Sequence, residues 1–288
     1  MMENNYEYKY EQMFLGKVIT LTNGVIEFSV SLDVGPRIIS LKTKNGQNIM
    51  FNDVDDLVSK DCSKVFGEGK KWHIYGGHRL WLSPEEESTY YPDNDEIDYK
   101  LTENGILLMP KKWDKIDILP QILIEFIGEN KLKINHKVKN LGQKRNFCLW
   151  ALTVMKAGGK LEFDLSDKDT GYLANRNIVL WPYDDIKDKR LELKDNKIVL
   201  KSDVSVSNPY KIGAYNSKFK AEYNINISGK DVKFIKSIDA QDTKKYPDYC
   251  CNFEAYCSNY IHEVESLSQI EKIENGAYLE HTEFWEIY

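Results

Sequence analysis

Y-G-G-H-R-L-W-L-S-P-E-E-E-S-T-Y-Y-P-D-N, running from Tyr75 to Asn94, is the stretch from which the rest of the chain is read. It places a glycine pair, an imidazole, a guanidinium, an indole, three carboxylates and two adjacent tyrosines close together. Gly76 and Gly77 permit positive φ or close backbone approach. In an extended segment, Gly77, Arg79 and Trp81 share one side and His78, Leu80 and Leu82 the other. Pro84 ends the ladder, which puts Glu85 to Glu87 in a loop at the sheet end. An aromatic plate beside charged hydrogen-bonding groups suits a polar ring with C–H faces, such as a sugar. A strand end with a solvated acidic turn has the same composition.

Outward from this stretch, alternation and turn signals dominate. Asn23-Gly24 separates Val18–Leu21 from Val25–Leu32, and Asn104-Gly105 separates Ile97–Thr102 from Ile106–Met109, both hairpin signals. A third Asn-Gly, at Asn45-Gly46, predicts a hairpin between Arg37–Thr43 and Ile49–Phe51. Phe51–Trp72 reads as irregular, with at most a short helix near Asp53–Ser59. Ile118–Ile127 and Lys131–Asn140 form a further pair, and the second places His136 in an apolar row, where a hydrogen-bonded core histidine is the expectation. Asn146–Met155 is a long strand carrying Trp150. Asn252–Cys257 and Tyr260–Leu267 pair across Ser258-Asn259, and Ala277–Tyr288 closes the chain as a strand. The reading is one all-β domain over residues 1–288, with many antiparallel strands and few short helices.

Composition narrows the function classes. Of 288 residues, 42% are hydrophobic, enough for a large core, and the net charge of −6 with interleaved lysines argues against a nucleic-acid partner. No segment approaches the roughly 20 apolar residues of a membrane-spanning helix. The polar start M-M-E-N-N-Y predicts a cytoplasmic protein without a signal core. Five cysteines, unpaired in spacing, read as reduced thiols with no zinc site, and no cofactor or metal is expected. Gly67–Lys71 lacks the spacing of a phosphate loop, and Asp93–Glu96 lacks that of an EF-hand.

The chain resembles the galactose mutarotase-like, or aldose 1-epimerase-like, superfamily. The resemblance is to a branch carrying G-G-H-R-L-W-x-x-P-E followed by Y-x-P-D-N, here Gly76–Trp81 with Pro84-Glu85, then Tyr91-Pro92-Asp93-Asn94. It extends to G-P-R-I at Gly35–Ile38, V-K-N-L-G at Val138–Gly142, E-V-E-S-L-S at Glu263–Ser268 and the closing Glu283-Phe284-Trp285. The implied fold is the galactose mutarotase-like supersandwich, a large antiparallel β-sandwich with a sugar site on a concave sheet face. The implied chemistry is ring opening, with a glutamate as general base on the anomeric hydroxyl and a histidine as general acid on the ring oxygen.

By this resemblance Glu265 takes the place of the base, and Glu263, two residues earlier on the same face, is its register-shifted rival. The strand expected to present the acidic histidine contains Trp150 and no histidine. His78 is then the substitute acid, provided that a bulge after the glycine pair turns it toward Arg79. Arg79 and Trp81 are expected inward, with Asn94 a further contact, Arg37 a contact or a surface salt bridge, Glu85 an acceptor for hydroxyls or a loop cap, and Trp150 a stacking plate or core. The partner is a small carbohydrate: an aldose, a uronic acid or a sugar phosphate. Two functions follow, an aldose 1-epimerase-like isomerase and a non-catalytic sugar-recognition protein that has lost the acid histidine.

Overall fold

The chain builds two large antiparallel sheets that face one another across the core, in a computed structural model that describes residues 5–240 and 245–288. The eleven-stranded front sheet runs, edge to edge, Glu7–Met13, Gly16–Thr22, Ile26–Ser31, Arg37–Thr43, Gly77–Ser83, Arg145–Lys156, Ile261–Leu267, Phe253–Cys257, Tyr210–Ala214 and Val179–Leu180. Glu271–Ile273 pairs with the outer end of Arg145–Lys156. The ten-stranded back sheet runs Leu191–Lys194, Lys197–Lys201, Lys160–Asp164, Lys220–Ile227, Lys230–Ile238, Tyr278–Ile287, Lys131–Asn140, Ile118–Gly128, Gly105–Met109 and Asp98–Thr102. Among the described residues no helix is long and apolar enough to cross a membrane.

The period of two decides what each strand buries. In Lys131–Asn140 every second side chain is buried, which sends Leu132, Ile134, His136 and Val138 into the core and leaves the lysines between them half-exposed. The central front strands differ: Gly77–Ser83 and Ile261–Leu267 are buried on both faces. Their inner face packs on the back sheet. Their outer face is roofed by a small hairpin, Ser59–Asp61 with Lys71–His73, and by the loops that follow Pro84 and Val179–Leu180. Burial on both faces gives these strands a second, smaller apolar cluster outside the main core, around Trp72, Trp81, Trp150 and Leu152.

Local chemistry accounts for the turns. Between Gly16–Thr22 and Ile26–Ser31, Gly24 sits at φ 87° and Asn23 Oδ1 accepts from Val25 N–H at 3.0 Å and Ile26 N–H at 3.0 Å. The Asn45-Gly46 turn departs from the predicted hairpin. Asn48 Oδ1 takes the Leu41 and Met50 N–H groups, and Met50 leaves Arg37–Thr43 to bridge Met155 instead. The predicted helix near Asp53–Ser59 is also absent; the helix is one turn, Ser63–Phe66. The edge strand Glu7–Met13 escaped notice because nearly all its side chains are exposed on both faces, so burial imposes no apolar pattern on it.

The glycine pair has a strict steric reason. Gly76 and Gly77 lie at φ 85° and 68°, and a Cβ on either would sit 2.2 Å from the Phe51 carbonyl oxygen or 2.1 Å from that of Ile38. Only glycine permits the chain to cross there and enter the sheet.

Candidate functional site

Strand register fixes which side chains reach the outer face of the front sheet. Arg79 lies opposite Leu152, Leu152 opposite Glu265 and Glu265 opposite Glu254, one continuous row across four strands, and Trp81 opposite Trp150 stands two residues along on the same face. Glu263, opposite Val154 and Tyr256, stands one step along on the same face. Above this row lies a cavity of about 420 Å³. Four tryptophans line it (Trp72, Trp81, Trp150 and Trp181), with Arg79, Glu85, Tyr90, Lys211 and Glu263 as its principal polar groups. The Trp81 and Trp150 rings stack at 5.6 Å between centroids and 21° between planes.

Arg79 is 4% exposed and its guanidinium lies 4.1 Å from the Trp81 ring centroid and 4.5 Å from that of Trp72. Its Nε has no hydrogen-bond partner among the described residues, and burial pulls its pKa down to about 9. A flat cation held against two indoles with a free donor edge is suited to hydroxyl, carboxylate or phosphate oxygens.

Beneath the floor, three strands contribute a charged triad. Lys211 Nζ lies 2.8 Å from Glu254 Oε2 and 2.8 Å from Glu265 Oε2, and 4.4 Å from the Trp150 ring centroid. Trp150 Nε1–H also donates to Glu265 Oε2, at 2.8 Å, which leaves Glu265 Oε1 buried without a partner. Burial opposes the Lys211 charge, but the two carboxylates outweigh it and hold the ammonium well above its ordinary range. Two carboxylates on one ammonium leave negative charge in excess. Burial and the nearby Glu265 push Glu254 well above the carboxylate range, with Lys211 opposing. Glu263 is raised to about 7 by burial first and by Glu265 second, against the pull of Arg79.

Of the residues singled out in the sequence, Arg79, Trp81, Glu85, Trp150 and Glu263 line this one cavity. Glu265 lies on the same face, fully buried under its floor. Arg37 does not reach it. Its guanidinium is buried in a bidentate pair with Asp93, at 2.7 and 3.0 Å, and donates to the Ile74 carbonyl. That pair explains the Asp of the Y-x-P-D-N motif. Asn94 is likewise engaged away from the cavity, accepting from Tyr75 Oη at 2.9 Å and donating to Lys71 O at 2.8 Å.

His78 is the clearest correction. The pairing of Gly77–Ser83 with Arg145–Lys156 runs without a register shift, so no bulge turns His78 toward Arg79. It points between the sheets, fully buried, with Nε2 2.7 Å from His136 Nε2 and Nδ1 2.9 Å from Thr153 Oγ1. The proton positions follow from the partners. His136 Nδ1 faces the His281 carbonyl at 3.1 Å and must donate, so its Nε2 accepts from His78, whose Nδ1 then accepts from Thr153. Ser266 Oγ donates to Glu283 Oε1 at 2.6 Å and so accepts from His281 Nε2 at 2.7 Å. All three imidazoles are neutral in this scheme, as their burial, which lowers each pKa, also requires. Lys236 balances Glu283 at 2.8 Å.

His78, His136 and Glu283 lie close enough to suggest a metal site, but their donor atoms are committed to one another, to Ser266, Lys236 and Trp285. The cluster joins the two sheets through hydrogen bonds.

Sequence reasoning missed Lys211, Glu254, Trp72 and Trp181. The first two carried a legible signal: in Y-K-I-G-A and F-E-A-Y-C a charge interrupts an otherwise apolar strand, which requires a partner across the sheet. Trp72 and Trp181 come from the roofing hairpin and a loop, where periodicity is silent.

No protein-family profile matches the chain, and no curated protein matches it by sequence. Solved structures do match in shape. A candidate mutarotase (YeaD) from Salmonella typhimurium superposes with a TM-score of 0.60 at 9% identity, covering 97% of this chain and 93% of that one. A candidate aldose 1-epimerase from Escherichia coli K12 gives 0.57 at 10% identity, covering 98% and 99%. At such identities the likeness speaks for architecture alone, and the architecture is the galactose mutarotase-like sandwich.

Proposed function

We propose that the chain binds a small carbohydrate in the outer-face cavity and interconverts its anomers. The observation that carries this reading is the union, in one cavity, of the stacked Trp81 and Trp150 rings with the buried carboxyl of Glu263 and the free edge of Arg79. The indoles offer apolar planes to sugar C–H faces. Arg79 and Glu85 offer a donor and an acceptor for hydroxyls. The volume lies in the range of small-ligand sites, on the order of 300–1,000 Å³. Ring opening needs a proton removed from the anomeric hydroxyl and one delivered to the ring oxygen. Glu263 is the carboxyl that the cavity offers for this transfer, with Glu265 behind it under the floor.

A second reading, recognition without turnover, is favoured by one observation: among the described residues the cavity lining contains no histidine. One experiment separates the two. Saturation-transfer NMR across aldoses, uronic acids and sugar phosphates reports binding, and anomeric exchange followed in the same tubes reports turnover. Binding with accelerated exchange supports the isomerase. Binding with exchange at the enzyme-free rate leaves sugar recognition, and no binding across the panel removes both.

A further inference from the structure

With His78 between the sheets, the ring-opening reading has no second proton-transfer group in the usual sense, and the geometry suggests that none is needed. We propose that Glu263 alone, as a neutral carboxylic acid, is the bifunctional catalytic residue, its O–H protonating the ring oxygen while its carbonyl oxygen takes the anomeric proton. This inference rests on the isomerase reading above.

Three observations carry it. First, Glu263 lines the cavity, whereas Glu265 lies below the floor with Oε2 already shared by Trp150 and Lys211. Second, Glu263 is 8% exposed and makes no hydrogen bond or ion pair among the described residues, so both of its oxygens are free for a ligand. Its oxygens therefore open onto the cavity and not onto a protein partner. Third, its surroundings are aromatic, and a low-dielectric wall favours a neutral acid over an anion.

The chemistry balances without another group. The two oxygens of a carboxyl are spaced much like the two oxygens on an anomeric carbon, so both can be engaged at once. As the bond between C1 and the ring oxygen breaks, its electron pair stays on the ring oxygen, which takes the carboxyl proton. The O1–H pair becomes the second C1–O1 bond, and that proton passes to the other carboxyl oxygen. Glu263 ends the step as it began, a neutral acid with its proton on the opposite oxygen. Rotation about the bond beside C1 and the reverse step deliver the other anomer. No net proton leaves the site.

The groups facing Glu263 set when it is neutral. Glu265 on its own strand and Glu85 from the roofing loop favour the proton. Arg79 and Lys211, each two strands away on opposite sides, oppose it, and the phenols of Tyr90, Tyr256 and Tyr260 close the remainder of the shell. Burial and the two carboxylates prevail, at about 7. Exchange should therefore run at full rate below that pH and fall above it, with no acidic limb from an ionised base. Glu265 is a positioning residue here, one that keeps the Glu263 proton in place through its charge.

The test is the enzyme-dependent anomeric exchange rate from pH 5 to 9 for the wild type, Glu263→Gln and Glu265→Gln, with sugar affinity and melting recorded for each. The expected result is a single alkaline limb near pH 7 in the wild type and a loss of at least about 100-fold in Glu263→Gln at unchanged affinity. Glu265→Gln should retain exchange at pH 5.5 and shift the limb to lower pH. A proton inventory of the wild type in mixed H2O and D2O should bow, as two protons move in one step; this arm does not depend on either variant folding. A bell-shaped wild-type profile, full exchange in Glu263→Gln, or a linear inventory overturns the bifunctional role while leaving the isomerase reading standing. Wild-type binding without exchange overturns both and leaves sugar recognition.

Discussion

Glu263→Gln should make the protein more stable above about pH 4.5, with the full gain at neutral and alkaline pH. In the native state burial and Glu265 raise the carboxyl from 4.5 to about 7. Between those values the native state binds a proton that the unfolded state releases, so stability falls as pH rises. The contribution of the neutral form is complete below about pH 4.5 and is lost as pH climbs through 7. At about 1.4 kcal/mol per pH unit, the gap corresponds to about 3 kcal/mol of destabilisation by the ionised side chain at pH 8. The amide of Gln has nearly the same shape and cannot ionise, so the variant escapes this term. Matched urea or thermal melts should show variant and wild type within about 1 kcal/mol near pH 4.5. At pH 8 the variant should be ahead by about 3 kcal/mol, on the order of 5–10 °C in Tm for a domain of this size. Equal stability at pH 8, or a difference that does not vary with pH, would refute the account of the cavity as a place that holds Glu263 neutral. A stabilising change at a proposed reacting group is also the usual mark of a site built for function at the expense of the fold.

Three further expectations test the division between the cavity and the interior. His78→Ala removes two hydrogen bonds and leaves a void between the sheets, so it should destabilise by roughly 2–4 kcal/mol in denaturant melts with sugar affinity unchanged; lost affinity in a protein of native stability would return His78 to the site. Arg79→Ala should weaken sugar binding by about 10–100-fold with a cooperative melt, and Arg79→Lys should fail to restore it, because an ammonium lacks the flat face that lies against Trp72 and Trp81. Lys236→Met should strand the buried Glu283 carboxylate and cost about 3–5 kcal/mol, with Glu283→Gln in the same chain recovering part of the loss; an additive double variant would mean that the two residues do not act as a pair.

What the sequence disclosed, and what it withheld, divides along the range of the interactions. Strand period is local, and it was enough to set Arg79 and Trp81 on one face with His78, Leu80 and Leu82 on the other, as the sheet has them. Asn-Gly turns are also local, and two of the three made hairpins. The third failed because the Asn48 side chain captured two backbone N–H groups and released Met50 to another strand, a competition that no pattern reports. The hope that His78 would join the cavity set a resemblance against alternation, and alternation prevailed: in an unbulged ladder a neighbour of Arg79 cannot share its face.

Partnerships across strands distant in the chain were the least legible part. Arg37 reads as a sugar contact until both carboxylate oxygens of Asp93, 56 residues on, engage its Nη2 and the Ile74 carbonyl takes Nη1. Glu265 reads as an open base until Lys211 and Trp150 close on it. The inverse holds for Glu263, the rival in the register question, which no described residue pairs. A charged group with its partners accounted for is explained by the fold. One that the fold buries and leaves unpaired is where a ligand has to be sought, and on this face Glu263 and the free edge of Arg79 meet that description within a single cavity.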